Sequence, residues 1–431
     1  MIEIQKEEEQ KVRCFLVGKP PLKKNPNHSD GLEELSALID TLGMEIAGKI
    51  SLVRNEPHPV YGIGSGKAEE IAANAKEVQA DCIIFDFELE PTKQRNWEKL
   101  TQIPCFDRNE VILRIFAQRA QTKEANLQIE LAKLTYSLPR LNHMYGDMAR
   151  QRGGNYGAKG SGETQLELDR RRIEEKIIQI KKEIAQVVSN RQTQRKQRER
   201  TSYPSCALVG YTNAGKSSLL NALTGAEVLV EDKLFATLDP TTRKLSFAEG
   251  SSVLLTDTVG FISNLPHTLV EAFRSTLEET MYANLLLVTV DASDEHYMEE
   301  FKQVLRVLEE IGAANIPKII LLNKADKILS DSIRVSMLKN DFPDSIFVSA
   351  KTKYNFEIVL NRISEQLLGS ITNYTIPLEQ TSLVELARKN GTILKEEWLE
   401  DGIHVTARIP NGSRSQALLL PYKKEAVFAL Q

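Results

Sequence analysis

Residues 210–223 read GYTNAGKSSLLNAL, with glycines at 210 and 215, a lysine at 216 and serines at 217 and 218. The apolar run 206–209 precedes this stretch, so a G-x-x-x-x-G-K-S loop stands between a strand and a helix. Two glycines let the backbone wrap closely around an anion, and loop N–H groups at a helix N-terminus point at negative charge. Lys216 adds a point charge suited to β/γ-phosphates, the Ser217 hydroxyl suits Mg²⁺, and Ser218 suits the α-phosphate. The alternative, a chance glycine turn, leaves the lysine and serines without a reason. This loop alone implies a nucleoside triphosphate and does not choose the base.

The base is chosen further on. VLLTD (253–257) is strand-like and runs into DTVG, so Asp257 sits where a carboxylate holds Mg²⁺ directly or through water, and the Gly260 amide can sense a γ-phosphate. KIILL (318–322) leads into NKAD (323–326). A carboxylate at Asp326 can accept both N1–H and the exocyclic amine of guanine, a pair that adenine does not offer. Asn323 suits the same base, Lys324 would lie flat on its plane, and the backbone of SAK (349–351) could reach its oxygen. NKxD alone is weak evidence. Four motifs in this order, each after a strand, are specific.

A hydroxyl that reaches Mg²⁺ only when the γ-phosphate is present is expected in LFATLDPTTR (234–243), where Thr237, Thr241 and Thr242 are candidates. Ras-like enzymes place a water-orienting glutamine just after the DxxG glycine. Here the residues are Phe261 and Ile262, which cannot polarise water, so hydrolysis by the chain alone should be slow and no residue is assigned as general base.

These loops need a mostly parallel α/β sheet to hold them, expected over 201–368. Before it, strand-like runs at 13–18, 46–53 and 81–85 alternate with helix-like runs at 32–42 and 67–79, predicting a small α/β domain over 1–107. From 108 to 200 two apolar stripes, Phe116–Leu138 and Leu166–Val187, keep helical spacing on either side of a polar glycine-rich stretch. They predict a long antiparallel helical hairpin, with two separate core helices as the alternative. Its second arm is expected to fray into the basic linker 191–205. A small α+β domain, with a helix at 381–389 and strands at 403–409 and 417–421, is expected over 369–431.

The combination GYTNAGKSSLLNAL, FATLDPT, DTVGFI, NKAD and SAK resembles the translation-factor-related class of GTPases near the Obg and HflX groups. YGIGSGKAEEI (61–71), FDFELEPTKQRNWEK (85–99), residues 107–141 and RGGNYGAKGSGETQLELDRRRI (152–173) narrow the resemblance to the HflX family over roughly residues 10 to 370. The resemblance implies that Thr237 is the Mg²⁺ ligand of the switch and that the large (50S) ribosomal subunit, with its RNA, is the partner. It also implies ribosome-stimulated hydrolysis and dissociation of stalled or idle ribosomes. Asn213 resembles the asparagine with which potassium-activated relatives hold K⁺, so K⁺ in place of an arginine finger is an alternative. The expected GTP/GDP contacts are Gly210, Tyr211, Thr212, Asn213, Ala214, Gly215, Lys216, Ser217 and Ser218 in the first loop, and Phe235, Ala236, Thr237, Leu238 and Asp239 in the switch. Asp257, Thr258, Val259 and Gly260 follow, then Asn323, Lys324, Ala325 and Asp326, and last Ser349, Ala350 and Lys351. Mg²⁺ falls to Ser217, Thr237 and, through water, Asp257.

Between 140 and 162, Arg140, Arg150, Arg152 and Lys159 stand among glycines with Tyr145 and Tyr156, against Asp147 as the one acidic residue. Cations neutralise phosphates, glycine permits close approach and tyrosine stacks on bases, so Arg140, Arg150, Arg152, Tyr156 and Lys159 are expected to contact RNA. A solvated loop is the bland alternative. GIGSGK (62–67) looks like a second phosphate loop, but Tyr61 replaces its first glycine and Ala68 its hydroxyl, which favours a tight turn.

The 431 residues, 41% hydrophobic and 26% charged with net charge −4, fit a soluble protein of several domains. Cys14, Cys82, Cys105 and Cys206 form no C-x-x-C pair and read as reduced core thiols. No secretory leader or apolar run of about 20 residues stands out, so the cytoplasm is expected. A monomer is expected, with a loose membrane association among its possible partnerships. Two other functions stay open: an assembly GTPase on an immature large subunit, and a switch that captures protein partners.

Overall fold

The computed structural model describes residues 11–18, 31–52, 58–151, 161–199, 203–226, 233–263, 274–411 and 413–424. Helix residues 142–151, 161–166, 190–199, 274–276 and 278 are described by backbone alone. The chain forms two compact units. The first comprises Met1–Arg191 with Asp232–Ala236 and Leu265–Phe273; the second comprises Gln192–Glu231, Thr237–Asn264 and Arg274–Gln431.

The first unit opens with β1 (Arg13–Gly18), α1 (Glu33–Leu42), β2 (Glu45–Ser51), α2 (Ser65–Glu77), β3 (Cys82–Phe85), α3 (Pro91–Thr101) and β4 (Cys105–Asp107). The strands lie in the order β2-β1-β3-β4, all parallel. Residues 82–85 are buried throughout, as a strand covered on both faces requires. Phe15, Phe85 and Trp97 fill one side of the core. The sequence reading overlooked α3 and β4, because Pro91–Thr101 carries few apolar residues beyond Trp97 and Leu100 and β4 spans only 3 residues. The thiols of Cys14 and Cys105 are pushed up to about 12 by burial, and that of Cys82 to about 11.

Asp107 ends β4 and caps α4 (Arg108–Arg119), accepting from the Glu110 N–H at 3.1 Å. Such a cap stabilises a helix by about 1 kcal/mol. The chain then breaks at Ala120 and restarts as α5 (Lys123–Gln151), which carries Pro139 within it; α6 spans Ser161–Glu199. An ion pair between Lys176 and Glu130 joins the two arms. Three expectations are corrected here. The first apolar stripe is shared by two helices, helix replaces the expected loop as far as Gln151, and α6 continues to Glu199 instead of fraying at 191.

Arg140 is bonded within the fold. It donates to Gln94 Oε1 at 2.9 Å, the Leu89 carbonyl at 2.8 Å, the Tyr136 carbonyl at 2.9 Å and Asp107 Oδ2 at 3.3 Å. Its side chain is 16% exposed, and Tyr136 donates to the same carboxylate at 2.9 Å. The guanidinium fastens α5 to the carboxyl end of the sheet. The side chains of Arg150, Arg152, Tyr156 and Lys159 lie outside the described residues.

In the second unit β5 (Ser205–Gly210), β6 (Thr241–Ser246), β7 (Ser252–Asp257), β8 (Leu285–Asp291), β9 (Lys318–Asn323) and β10 (Ile346–Phe347) make one sheet in the order β10-β9-β8-β5-β7-β6. Only β6 runs antiparallel. Helices α7 (Lys216–Thr224), α8 (Arg274–Met281), α9 (Tyr297–Glu310), α10 (Ser332–Asp341) and α11 (Phe356–Leu368) connect the strands. β5 lies between β7 and β8, so the chain reverses its direction across the sheet there, where such folds bind ligands. After α11 come β11 (Ile371–Ile376), α12 (Thr381–Asn390), β12 (Thr392–Leu399) and β13 (Gly402–Arg408), with a three-stranded antiparallel sheet ordered β11-β13-β12. The stretch expected as a strand at 417–421 is instead part of α13 (Arg414–Leu419) and a 3-10 turn. Ser413 caps α13 by accepting from the Gln416 N–H, which is why helix wins there. Among the described residues no helix is long and apolar enough to cross a membrane.

Candidate nucleotide site

Gly210 ends β5, Asp257 ends β7, Asn323 ends β9 and Ser349 follows β10, so four loops meet at the carboxyl edge of the sheet. The backbone of these loops needs glycine at more than one position, Gly210 included, where a methyl group would stand 2.3 Å from the Thr289 carbonyl oxygen. At Gly215 φ is +89°, and a methyl group there would stand 2.3 Å from Asn323 Nδ2. At Gly260 it would stand 2.8 Å from Thr212 Cα and 2.9 Å from Lys216 Nζ.

Lys216, at the start of α7, is 6% exposed and donates to the carbonyls of Tyr211 at 2.7 Å and Gly210 at 3.2 Å. Burial lowers its ammonium to about 8, against the pull of Asp257 and Glu300. Ser217 donates to Asp257 Oδ2 at 2.6 Å and lies 2.8 Å from Thr237 Oγ1. Asp257 is fully buried, its carboxyl is pushed up by that burial, and its Oδ1 has no hydrogen-bond partner among the described residues. Two hydroxyls and a buried carboxylate with an unmatched oxygen form a hard oxygen set that fits Mg²⁺. Thr241 and Thr242, the other switch candidates, open β6, where Thr242 Oγ1 pairs with Thr256 Oγ1 at 2.9 Å. The hydroxyl near Ser217 is that of Thr237.

On the base side, Asn323 donates to the Ala214 carbonyl at 2.8 Å and accepts from the Ala350 N–H at 3.2 Å, so it staples three loops together. Lys324, at φ +59°, is anchored by Asp291 Oδ2 at 2.7 Å, which lays out its aliphatic stem. Asp326 is exposed, and one of its oxygens accepts from Ser349 Oγ at 2.5 Å.

Not every expected contact faces this edge. Thr258 is fully buried and donates to the Leu208 carbonyl at 2.6 Å, latching β7 to β5. Val259 and Leu238 are buried, Ala325 is packed under its loop, and Ala236 and Asp239 are partly exposed. Phe235, at φ +55°, is counted with the first unit, where it packs edge-on against Phe116 with ring centroids 4.6 Å apart. Asn213, at φ +59°, and Lys351 are exposed, while Ser218 is partly so. Lys67 in the glycine-rich turn of the first unit pairs with Glu70 Oε1 at 2.7 Å.

Residues 29–117 match the family model described as GTP-binding GTPase N-terminal, and 119–198 match the GTP-binding GTPase Middle Region. Residues 205–324 match the model described as 50S ribosome-binding GTPase. The GTPase HflX of Akkermansia muciniphila is 42% identical over 391 residues, covering 88% of this chain and 90% of that protein. That of Caldanaerobacter subterraneus subsp. tengcongensis is 41% identical over 401 residues, covering 93% and 91%. That of Escherichia coli K12 is 39% identical over 381 residues, covering 88% and 89%. The chain belongs to the HflX family of GTPases.

As an HflX-family enzyme it binds GTP and hydrolyses it to GDP and phosphate. One position, Asp291, escaped the sequence reading, as did the side-chain roles of Ser349 and Tyr211. Asp291 could have been found as a carboxylate ending a strand beside the site, as Asp257 does. Ser349 appeared only as a backbone contact, and the hydroxyl of Tyr211 has no motif to mark it. Lys216 makes nucleotide affinity depend on pH. In the empty site its ammonium is protonated only below about 8, and a bound phosphate favours the charged form. Binding above that pH must take up a proton, so GDP affinity should fall about tenfold per pH unit from roughly 8 upward. Fluorescent-GDP titrations from neutral to alkaline pH test this. Lys216→Arg, whose charge does not titrate, is the control, and identical profiles for the two proteins contradict the assignment.

Proposed function

We propose that this HflX-family GTPase binds the large (50S) ribosomal subunit and couples GTP hydrolysis to the dissociation of stalled or idle ribosomes. The observation that carries the reading is the family match, which runs from residue 29 to 324 and ends in a domain described as ribosome-binding. The burial of Phe261 (2% exposed) and Ile262 (0%) supports it, because the position after Gly260 offers no side chain to orient water. The missing group or geometry then comes from the partner, as in GTPases completed in trans. Mg²⁺ held by the Ser217 and Thr237 hydroxyls, with Asp257 acting through water, belongs to the same reading. The metal supplies charge neutralisation at the β- and γ-phosphates. Arg150, Arg152, Tyr156 and Lys159 are the proposed RNA contacts, without Arg140.

Hydrolysis should rise on the order of 10³-fold with purified large subunits, the scale on which GTPases gain from groups supplied in trans. Sedimentation should show intact ribosomes separating into subunits when GTP and the protein are present. Stimulation by subunits without separation of intact ribosomes, together with precursor particles on depletion, would favour the assembly role. No stimulation by large subunits would end the ribosomal reading.

A further inference from the structure

We infer that the Tyr211 hydroxyl is a positioning group for hydrolysis: it holds the three residues after Gly260 against the phosphate loop. The ring of Tyr211 is 9% exposed, and its oxygen accepts from the Ser263 N–H at 2.7 Å, across 52 residues of chain. The neighbouring backbone completes a short parallel ladder. The Phe261 N–H donates to the Gly210 carbonyl at 3.1 Å, and the Thr212 N–H to the Phe261 carbonyl at 2.7 Å.

Together these bonds set where Gly260 lies, and a methyl group placed on Gly260 would stand 2.9 Å from Lys216 Nζ. The backbone of Gly260 therefore runs beside the lysine that meets the β/γ-phosphates. Where a glutamine follows that glycine, a side chain orients the attacking water. With the side chains of Phe261 and Ile262 buried, the main chain is what these two residues can offer the reacting phosphate. Its placement then matters directly, because small displacements of reacting groups are costly in rate. Among the described residues, two of the bonds that fix it are main chain to main chain. Another depends on one side-chain oxygen, that of Tyr211, which acts through the placement of Gly260.

The inference rests on GTP hydrolysis by the chain and not on the ribosomal reading. Tyr211→Phe removes the oxygen and keeps the ring. Single-turnover hydrolysis should slow about fivefold, the worth of one net hydrogen bond, with GTP and GDP affinities unchanged. Ser263→Pro removes the donor of the same bond and should slow hydrolysis to the same extent. The double variant should be no slower than either single one, because both remove one interaction. An undiminished rate in Tyr211→Phe, a loss of nucleotide affinity in step with the rate, or losses that multiply in the double variant would each overturn the assignment.

Discussion

Asp326→Asn should turn this enzyme from GTP towards XTP, weakening GTP on the order of 10²- to 10⁴-fold. A carboxylate accepts from guanine at both N1–H and the exocyclic amine, and charge-assisted hydrogen bonds contribute about 1.5–3 kcal/mol each. An asparagine in its place keeps one acceptor and turns an N–H towards the amine, where donor meets donor. Xanthine carries an oxygen there, which that N–H can satisfy. The geometry favours a clean exchange. Asp326 is exposed on a 3-10 turn (Ala325–Lys327), so its replacement leaves no buried group unpaired. Ser349 Oγ, 2.5 Å away, can orient an amide oxygen as it orients the carboxylate. Competition of GTP and XTP for the site measures the effect. Retained GTP preference in Asp326→Asn would mean that the base is read elsewhere.

Lys216→Ala should abolish detectable hydrolysis and weaken both GTP and GDP by about 2–5 kcal/mol, the cost of removing one partner from a buried charge pair. The usual objection to such a variant is that it unfolds. Here the physics runs the other way. The ammonium is 6% exposed and its pKa is lowered to about 8 by burial, so the protein bears a desolvated charge that two carbonyls, Asp257 and Glu300 compensate only in part. Alanine removes that charge. The nucleotide-free variant should therefore melt no lower than the wild type, while the stabilisation that GDP confers on the wild type disappears. A variant that still gains stability from GDP, or that turns over GTP undiminished, would remove Lys216 from the phosphate site.

A methyl group offers a smaller probe of the same loops. At Gly215 it would meet the amide of Asn323, whose two hydrogen bonds tie Ala214 to Ala350. That junction shows the limit of local reading. Asn323 looked like a base contact when read beside Asp326, and its side chain also bonds two backbone groups, one of them 109 residues away. Arg140 teaches the same lesson. It opens a stretch, 140–162, rich in glycine, arginine and tyrosine, which suggests RNA, yet Asp107, Gln94 and Leu89 converge on it only once the sheet has formed.

The sequence by itself determined the chemistry that is local to a strand, a loop and the start of a helix. Residues 206–223 bring their own glycines, lysine and hydroxyls, so the phosphate cradle needed no distant partner to be legible. The same holds for NKAD and for the apolar runs that became β1, β3, β5 and β9. Tertiary structure alone decided that Asp291 anchors Lys324, that Tyr211 clasps Ser263, and how far Arg140 is withdrawn. The reason is physical. A hydrogen bond depends on angstrom-scale placement of atoms from strands far apart in the chain, and sheet order, which sets that placement, is fixed by burial of whole faces and not by any short run of residues.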